Sequence, residues 1–302
     1  MRLHQVSLSP NQSGSMATNL AAVETLITDL IGGSAKTADG LPSTVAQAAS
    51  VHLAAGGQRI RARLALHAAL ACDMAGTDSV VIAAASELLH NASLVHDDIQ
   101  DQTELRRGFN AIWVTFGIDV ALCAGDLMLS AAYAALGGLS DTTKLPALLS
   151  LVHNRTSIAI RGQCADLCVE AADEIDLVRY ETIAVAKSGA LLSLPLELVL
   201  TASGNEKLAL QARIAVEHFA IGYQIADDIE DLAHDAGAQK IAINIVLILG
   251  GGTSALFEAR CLAQRHLRAA ASAALALPHG AGKLLSEQAL RLSATLAPVA
   301  VP

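Results

Sequence analysis

Asp97, Asp98 and Asp101 stand in one short stretch, and Asp227, Asp228 and Asp231 repeat the spacing 130 residues later. In a helix the first and fifth residues of such a stretch lie about 40° apart, so Asp97 shares a face with Asp101, and Asp227 with Asp231. Like charges so placed repel by about 0.2–0.5 kcal/mol on an exposed helix, and by more when buried without a counterion. Both stretches follow apolar sequence: Leu88, Leu89, Leu94 and Val95 precede the first, and Phe219, Ile221, Tyr223 and Ile225 the second. A pair of acidic helix ends is the plain reading. The sharper one is a carboxylate cage on two facing helices, which suits Mg²⁺ and leaves positions for phosphate oxygens. A di-iron bundle site would want Glu-x-x-His pairs, and neither stretch has a His three residues after a Glu.

Basic residues near the acids point to a polyanion. Arg106 and Arg107 follow the first stretch, and Arg59 and Arg61 follow the glycine pair Gly56-Gly57. Planar guanidinium forks bind phosphate bidentately, and Mg²⁺ usually joins one or two carboxylates to substrate phosphates. Gly250-Gly251-Gly252-Thr253-Ser254 is no P-loop, because it lacks the lysine and follows no strand. The formal charge is −9, and seven of the 29 acids lie in the two stretches. An acidic chain with so few basic residues excludes a nucleic-acid partner.

The elements that must carry these groups are helices. Of the 302 residues, 53% are hydrophobic, 16% are charged and only eight are Phe, Tyr or Trp, which excludes disorder and disfavours a β-rich core. Apolar residues recur at helical spacing in 20–30, 80–95, 120–136 and 214–229. Gly- and Pro-rich breaks divide the chain into ten or more helices joined by short loops. The expectation is an all-α, single-domain bundle around a central apolar cavity, spanning 17–302, after a disordered leader of 1–16 in which Met16 is a second candidate start. The longest apolar run, 241–257, is broken by Asn244 and the three glycines, so no transmembrane span and no secretory signal is read, and the expected location is cytoplasmic. Five cysteines make an odd count for a disulfide framework. Cys164 and Cys168, at i, i+4 on a helix, are read as small core residues rather than metal ligands. So little charge leaves an apolar helix face to pack on a second copy, hence an expected homodimer.

Together these residues resemble the trans-prenyl diphosphate synthases, the all-α enzymes of isoprenoid chain elongation. The stretch His90-Asn91-Ala92-Ser93-Leu94-Val95-His96, the first Asp cluster and Glu104-Leu105-Arg106-Arg107-Gly108 are similar to the family's first aspartate-rich motif. Tyr223-Gln224-Ile225-Ala226 with the second cluster is similar to the other. Gly125-Asp126, Gly162-Gln163 with Asp166-Leu167, and Lys187-Ser188 also match, so the likeness covers roughly residues 45–260. It implies an enzyme that condenses an allylic diphosphate with isopentenyl diphosphate, using three Mg²⁺ ions. It implies that Asp97, Asp101 and Asp227 ligate metal, with Asp98, Asp228 and Asp231 as supporting ligands or one layer behind. Arg106 would grip the allylic diphosphate, and Arg107, Arg61 and His90 the isopentenyl diphosphate. Lys187 and Gln224 would steady the leaving group. Ala92 and Ser93, five and four residues ahead of Asp97, would line the cavity floor, and their small size implies a product of C20 or longer.

The chain departs from the family's pattern at several points. Gln58 stands in Gly56-Gly57-Gln58-Arg59-Ile60-Arg61 where a lysine is usual. A lost charge-assisted hydrogen bond is worth about 1.5–3 kcal/mol, so the acceptor's diphosphate is held less tightly. Phe109-Asn110 replaces the usual Lys-Pro, Ser188 replaces a Thr, and the loop after Asp231 is shortened, leaving Lys240 as its basic residue. These departures keep two alternatives open: a class I terpene cyclase or a transferase to another acceptor, and a non-catalytic partner subunit. Few aromatics are present to surround a cyclising cation, which places elongation ahead.

Overall fold

The computed structural model describes residues 10–32, 44–169, 175–235 and 243–296, with side chains from residue 16 and, in the third segment, to residue 232. Described residues of 7–150 and 201–203 form one compact unit, and those of 151–200 and 204–302 a second.

The first unit runs through α1 (Pro10–Gly32), α2 (Thr44–Ala54), α3 (Ile60–Ala71) and α4 (Gly76–Gln100). A hairpin of β1 (Leu105–Arg106) and β2 (Phe109–Asn110) follows, then α5 (Ile112–Phe116) and α6 (Ile118–Leu136). The centre is α4, which packs on α1, α3 and α6. Its 25 residues place Ile82, Ala83, Ala84, Ala85, Leu88 and Val95 at no exposure. Ala62, Ala65, Ala68 and Ala69 of α3 are equally buried, so small side chains bring these helices close. The second unit takes most of α7 (Leu145–Leu167), then α8 (Leu177–Ala184), a π-helical turn at Val185–Gly189, α9 (Ala190–Ala202) and α10 (Ala209–Asp235). It ends with α11 (Ile245–Ile248), α12 (Gly252–Leu275) and α13 (Lys283–Thr295). Here α10 packs on α12, and α12 on α13. Gly222 permits the first contact, since a Cβ there would lie 2.6 Å from Leu267 Cγ.

The all-α architecture with ten or more helices agrees with the helical spacing of the apolar residues. Breaks fall as read at Gly56-Gly57, Gly137-Gly138, Gly204 and Gly250–Gly252. Two features carry no periodic signal: the π turn, and the two-residue hairpin whose Arg107 (φ 56) and Gly108 (φ 84) both take positive φ, the backbone of a type I′ turn.

Two expectations need revision, and a third feature bears on the reading of membrane spans. The helix α1 begins at Pro10 and Met16 is 7% exposed, so the expected leader is helical over 10–16; residues 1–9 lie outside the described residues. Cys164 and Cys168 are exposed, because both face outward where α7 ends, so they are not core residues. Ile118–Leu136 and Leu177–Ala202 are long and apolar enough to cross a membrane by length and composition, although 72% of the second is buried inside the protein. Their apolarity comes from Ala and Leu interrupted by a few charges, which a search for unbroken apolar runs passes over.

Candidate active site

The first aspartate-rich motif occupies the last turn of α4. Asp98 points into the unit, 1% exposed, and receives Arg106 Nε at 2.6 Å (Oδ1) and 2.8 Å (Oδ2), with Nη2 at 2.5 Å. A buried carboxylate is stabilised by such a bidentate guanidinium. Asp97 is half-buried and Asp101 exposed, as the 100° step between neighbouring helical residues requires when residue 98 faces inward. His96 precedes them and lies 3.6 Å from Asp126 Oδ1; Gly125 leaves room for its ring, since a Cβ there would collide with Nε2.

Arginines gather at the turn Gly56–Arg59 and the hairpin tip. Arg107 Nη1 donates to Gly56 O, and its guanidinium lies so close to Gly57 that a Cβ on that residue would meet Cζ at 2.8 Å. Arg59 is drawn away by Glu24, Nε to Oε1 at 2.5 Å, and donates to Leu53 O at 3.1 Å. Gln58 keeps Oε1 buried with no hydrogen-bond partner, while its carbonyl accepts from Arg63 Nε at 3.1 Å. Burial, then the charges of Arg107 and Arg106, lowers the pKa of His52 to about 4 against a weaker opposing bond from Asn91. Burial and the charges of Arg61, Arg107 and Arg106 likewise hold His90 well below the usual histidine range. Both imidazoles are thus held neutral beside a group of arginines, of which Arg59 is paired with Glu24 and Arg106 with Asp98.

Beneath this turn lies Glu87, 2% exposed, which accepts from the backbone N–H of Ala62 at 3.0 Å. It thereby satisfies one of the first-turn donors of α3, whose own N-cap residue, Arg59, provides no side-chain cap. Glu87 and His52 were missed in the sequence. The signal was there for Glu87: an acid inside the apolar run 80–95.

The second motif sits on α10 and repeats the first motif's division of labour. Asp228, 4% exposed, accepts from Tyr180 Oη at 2.8 Å, Gln224 Nε2 at 2.9 Å and the backbone N–H of Ile245 at 2.8 Å. Burial, then the charge and hydrogen bond of Asp228, drives the Tyr180 pKa upward, so the phenol stays a donor. Asn244 donates to Asp228 O at 2.7 Å and caps α11 by accepting from Val246 N at 3.0 Å. The Asn244 that interrupts the apolar run 241–257 thus ties the returning chain to the motif. Asp227 is half-buried and Asp231 exposed. Lys240 lies outside the described residues.

Lys187 is carried by the π turn and pairs with Asp166 of α7. The helix α7 reaches that turn because residue 162 is glycine: a Cβ would lie 2.5 Å from Lys187 N and 2.6 Å from Ala186 C. π-turns are rare and concentrate at functional sites. Gln163 is buried beside it. Thus Gly162, Asp166 and Lys187, separate in the chain, converge.

Within the first unit, then, Asp97, Asp98, Asp101, Arg106, Arg107, Arg61, His90 and Gln58 belong to one neighbourhood of α3, α4 and the hairpin. Within the second, Gln224, Asp227, Asp228 and Asp231 share α10. Ala92 is buried, and Ser93, half-buried, donates to His90 O at 2.8 Å. Asp98 and Asp228 are both buried, and each accepts from a neighbouring side chain, Arg106 and Gln224 respectively.

The chain is similar in sequence and in fold to known proteins. The family model described as polyprenyl synthetase matches residues 42–243. The chain is 33% identical over 174 residues to (2E,6E)-farnesyl diphosphate synthase of Mycobacterium bovis, covering 57% of this chain and 48% of that protein. It is 31% identical over 198 residues to a short chain isoprenyl diphosphate synthase of Methanothermobacter thermautotrophicus, covering 64% and 60%. The matched region thus spans about half to three fifths of these relatives' length. In fold, the chain is similar to a decaprenyl diphosphate synthase from Rhodobacter capsulatus, with a TM-score of 0.80 at 19% identity over 94% of this chain and 98% of that one. Geranylgeranyl pyrophosphate synthetase from Geoglobus acetivorans gives 0.79 at 22% identity over 91% and 97%.

Proposed function

The chain belongs to the polyprenyl synthetase family, and we propose from that premise that it is a cytoplasmic, Mg²⁺-dependent prenyltransferase. It ionises an allylic diphosphate and joins it to isopentenyl diphosphate, giving a longer prenyl diphosphate of C20 or more. One observation carries the reading: in both motifs the second aspartate is buried and hydrogen-bonded, while the first and fifth stand nearer the surface. Two acidic helix ends would have no reason to repeat that division 130 residues apart.

The residues fit the metal. Among the described residues no group of three or more His, Cys, Asp or Glu side chains is placed to hold a metal ion by itself, whereas Mg²⁺ bound through one or two carboxylates takes its other ligands from water and phosphate. Asp97 and Asp101 of the first motif, and Asp227 and Asp231 of the second, would be metal ligands, with Asp98 and Asp228 fixing the helix turns behind them. The bound ions supply charge neutralisation for the departing diphosphate. Arg106, locked by Asp98, presents its remaining N–H groups to the allylic diphosphate. Arg107 and Arg61 hold the diphosphate of the partner, and neutral His90 offers a hydrogen bond there. Lys187 and Gln224, oriented by Asp166 and Asp228, stabilise the leaving group as the C–O bond breaks. The double bond of the partner then attacks the allylic cation, and the proton lost in that step goes to the released pyrophosphate, so no side-chain base is required. Apolar helices exclude water from the cation. Ala92 and Ser93, being small, leave the tunnel floor open to a long tail.

Prenyl transfer to an acceptor other than isopentenyl diphosphate is the second reading. Gln58 favours it, since a neutral amide holds a phosphate less tightly than a cation at the same position would. Incubating the purified chain with Mg²⁺, labelled isopentenyl diphosphate and C5, C10 or C15 allylic diphosphates tests both. Elongated diphosphates that vanish with EDTA are expected. Pyrophosphate release without elongation supports the second reading, and the absence of both products overturns the two together.

A further inference from the structure

Two exposed thiols flank the residue that holds Lys187. Cys164 and Cys168 are exposed, their sulfurs 4.0 Å apart, and they sit at i, i+4 at the end of α7. Asp166, whose carboxylate pairs with Lys187, lies between them in the chain. The other described cysteines, Cys72, Cys123 and Cys261, sit on other elements, and the proposed reaction uses none of the five.

We propose that Cys164 and Cys168 are a reversible oxidation site that closes to a disulfide with hydroperoxides and uncouples Lys187 from Asp166. Helix geometry puts i, i+4 Cα atoms about 6.2 Å apart, inside the 4.4–6.8 Å range that disulfides span. The corresponding Cβ atoms, about 5–6 Å apart on a regular helix, must approach to about 4 Å. The sulfurs must close from 4.0 Å to a bond of about 2.05 Å. The place that can yield is the last turn: Cys168 lies just past Leu167, and its N–H bond to Cys164 O at 3.0 Å closes the helix. Tightening that turn rotates Asp166, which it contains.

The chemistry balances with a hydroperoxide as the named oxidant. One thiolate attacks the peroxide oxygen, giving a sulfenic acid and releasing water or an alcohol. The second thiol displaces the sulfenic oxygen as water and forms the S–S bond, so two thiols lose two electrons and the peroxide gains them. A dithiol reductant reverses the step by exchange through a mixed disulfide. Loss of the Asp166 contact leaves Lys187 without its orienting carboxylate, and this consequence rests on the function proposed above.

The test treats the full chain with a small excess of hydrogen peroxide, then maps alkylated peptides by mass spectrometry and assays prenyl transfer. A peptide carrying Cys164 and Cys168, two hydrogens lighter and refractory to alkylation until dithiothreitol is added, is expected. With it we expect a fall of ten-fold or more in kcat/KM, reversed by dithiothreitol, in the wild type and in Cys123→Ser/Cys261→Ser. Cys164→Ser and Cys168→Ser should keep basal turnover and lose this sensitivity. Over-oxidation to sulfinic acid without the intrahelical bond, or mixed disulfides alone, overturns the site. A disulfide that forms with turnover unchanged overturns the coupling to Lys187. A chain with no prenyl transfer before oxidation defeats the proposed function alone, because the mass readout still decides the dithiol.

Discussion

At the residue scale, placement within a turn decides what each charged group can do. Asp97 and Asp98 are adjacent in sequence, yet one is half-buried and the other is buried against Arg106. Gln58 is the position where a single side chain most alters the proposed chemistry. Gln58→Lys replaces an unpartnered acceptor with a cation among Arg61 and Arg107, so KM for isopentenyl diphosphate should fall about ten-fold or more, in line with ~1.5–3 kcal/mol for a charge-assisted bond. Steady-state kinetics at saturating allylic diphosphate measure it, and an unchanged KM removes Gln58 from the acceptor pocket. His52 gives a pH signature. Its native pKa of about 4 lies below the unfolded value of 6.5, so the unfolded chain binds the proton first as pH falls. The associated stability is therefore fully present above pH 6.5 and is lost between there and pH 4, about 3 kcal/mol in all. In urea melts at pH 7.5 and pH 4.5, His52→Gln should lose less stability than the wild type by about that amount.

At the element scale, glycines set how closely helices meet where function is proposed. A methyl group at residue 162 would strike the backbone of the π turn, not the end of a flexible side chain. Gly162→Ala should therefore destabilise by about 1–3 kcal/mol and lower turnover through displacement of Lys187. Gly76→Ala, at the start of α4 with nothing within 4 Å of the added carbon, should leave the melting temperature unchanged. Equal effects of the two substitutions would remove the close approach of α7 as the cause. The hairpin has a related economy: Arg107 and Gly108 both at positive φ turn the chain in two residues, which puts Arg107 at the tip, over Gly56.

At the scale of the whole molecule, low charge and an exposed apolar face bear on assembly. On α6, Ile118 is 50% and Leu122 43% exposed, one turn apart, and we propose this face for the expected homodimer. Light scattering of the purified chain should give twice the 31.1 kDa monomer mass, and Leu122→Glu should shift it to one. A wild-type monomer at micromolar concentration would overturn the dimer.

Helical class, loop positions and the face shared by the aspartates of each motif were legible in the sequence, because helix periodicity and i, i+4 pairing are local properties of the chain. The spacing of Asp97, Asp98 and Asp101 already implied which two share a face. What it did not contain is which partner each buried or half-buried charge finds. Arg106 for Asp98, Tyr180 and Ile245 for Asp228, Ala62 for Glu87 and Asp166 for Lys187 lie 8 to 48 residues away. Burial without compensation costs a charge too much to be left unmade, so those pairings follow from packing. The same holds for the cysteines of α7: sequence placed them one turn apart, and only the tertiary structure decided that this face looks outward, because the opposite face of the helix carries the buried Ala159, Gly162 and Gln163.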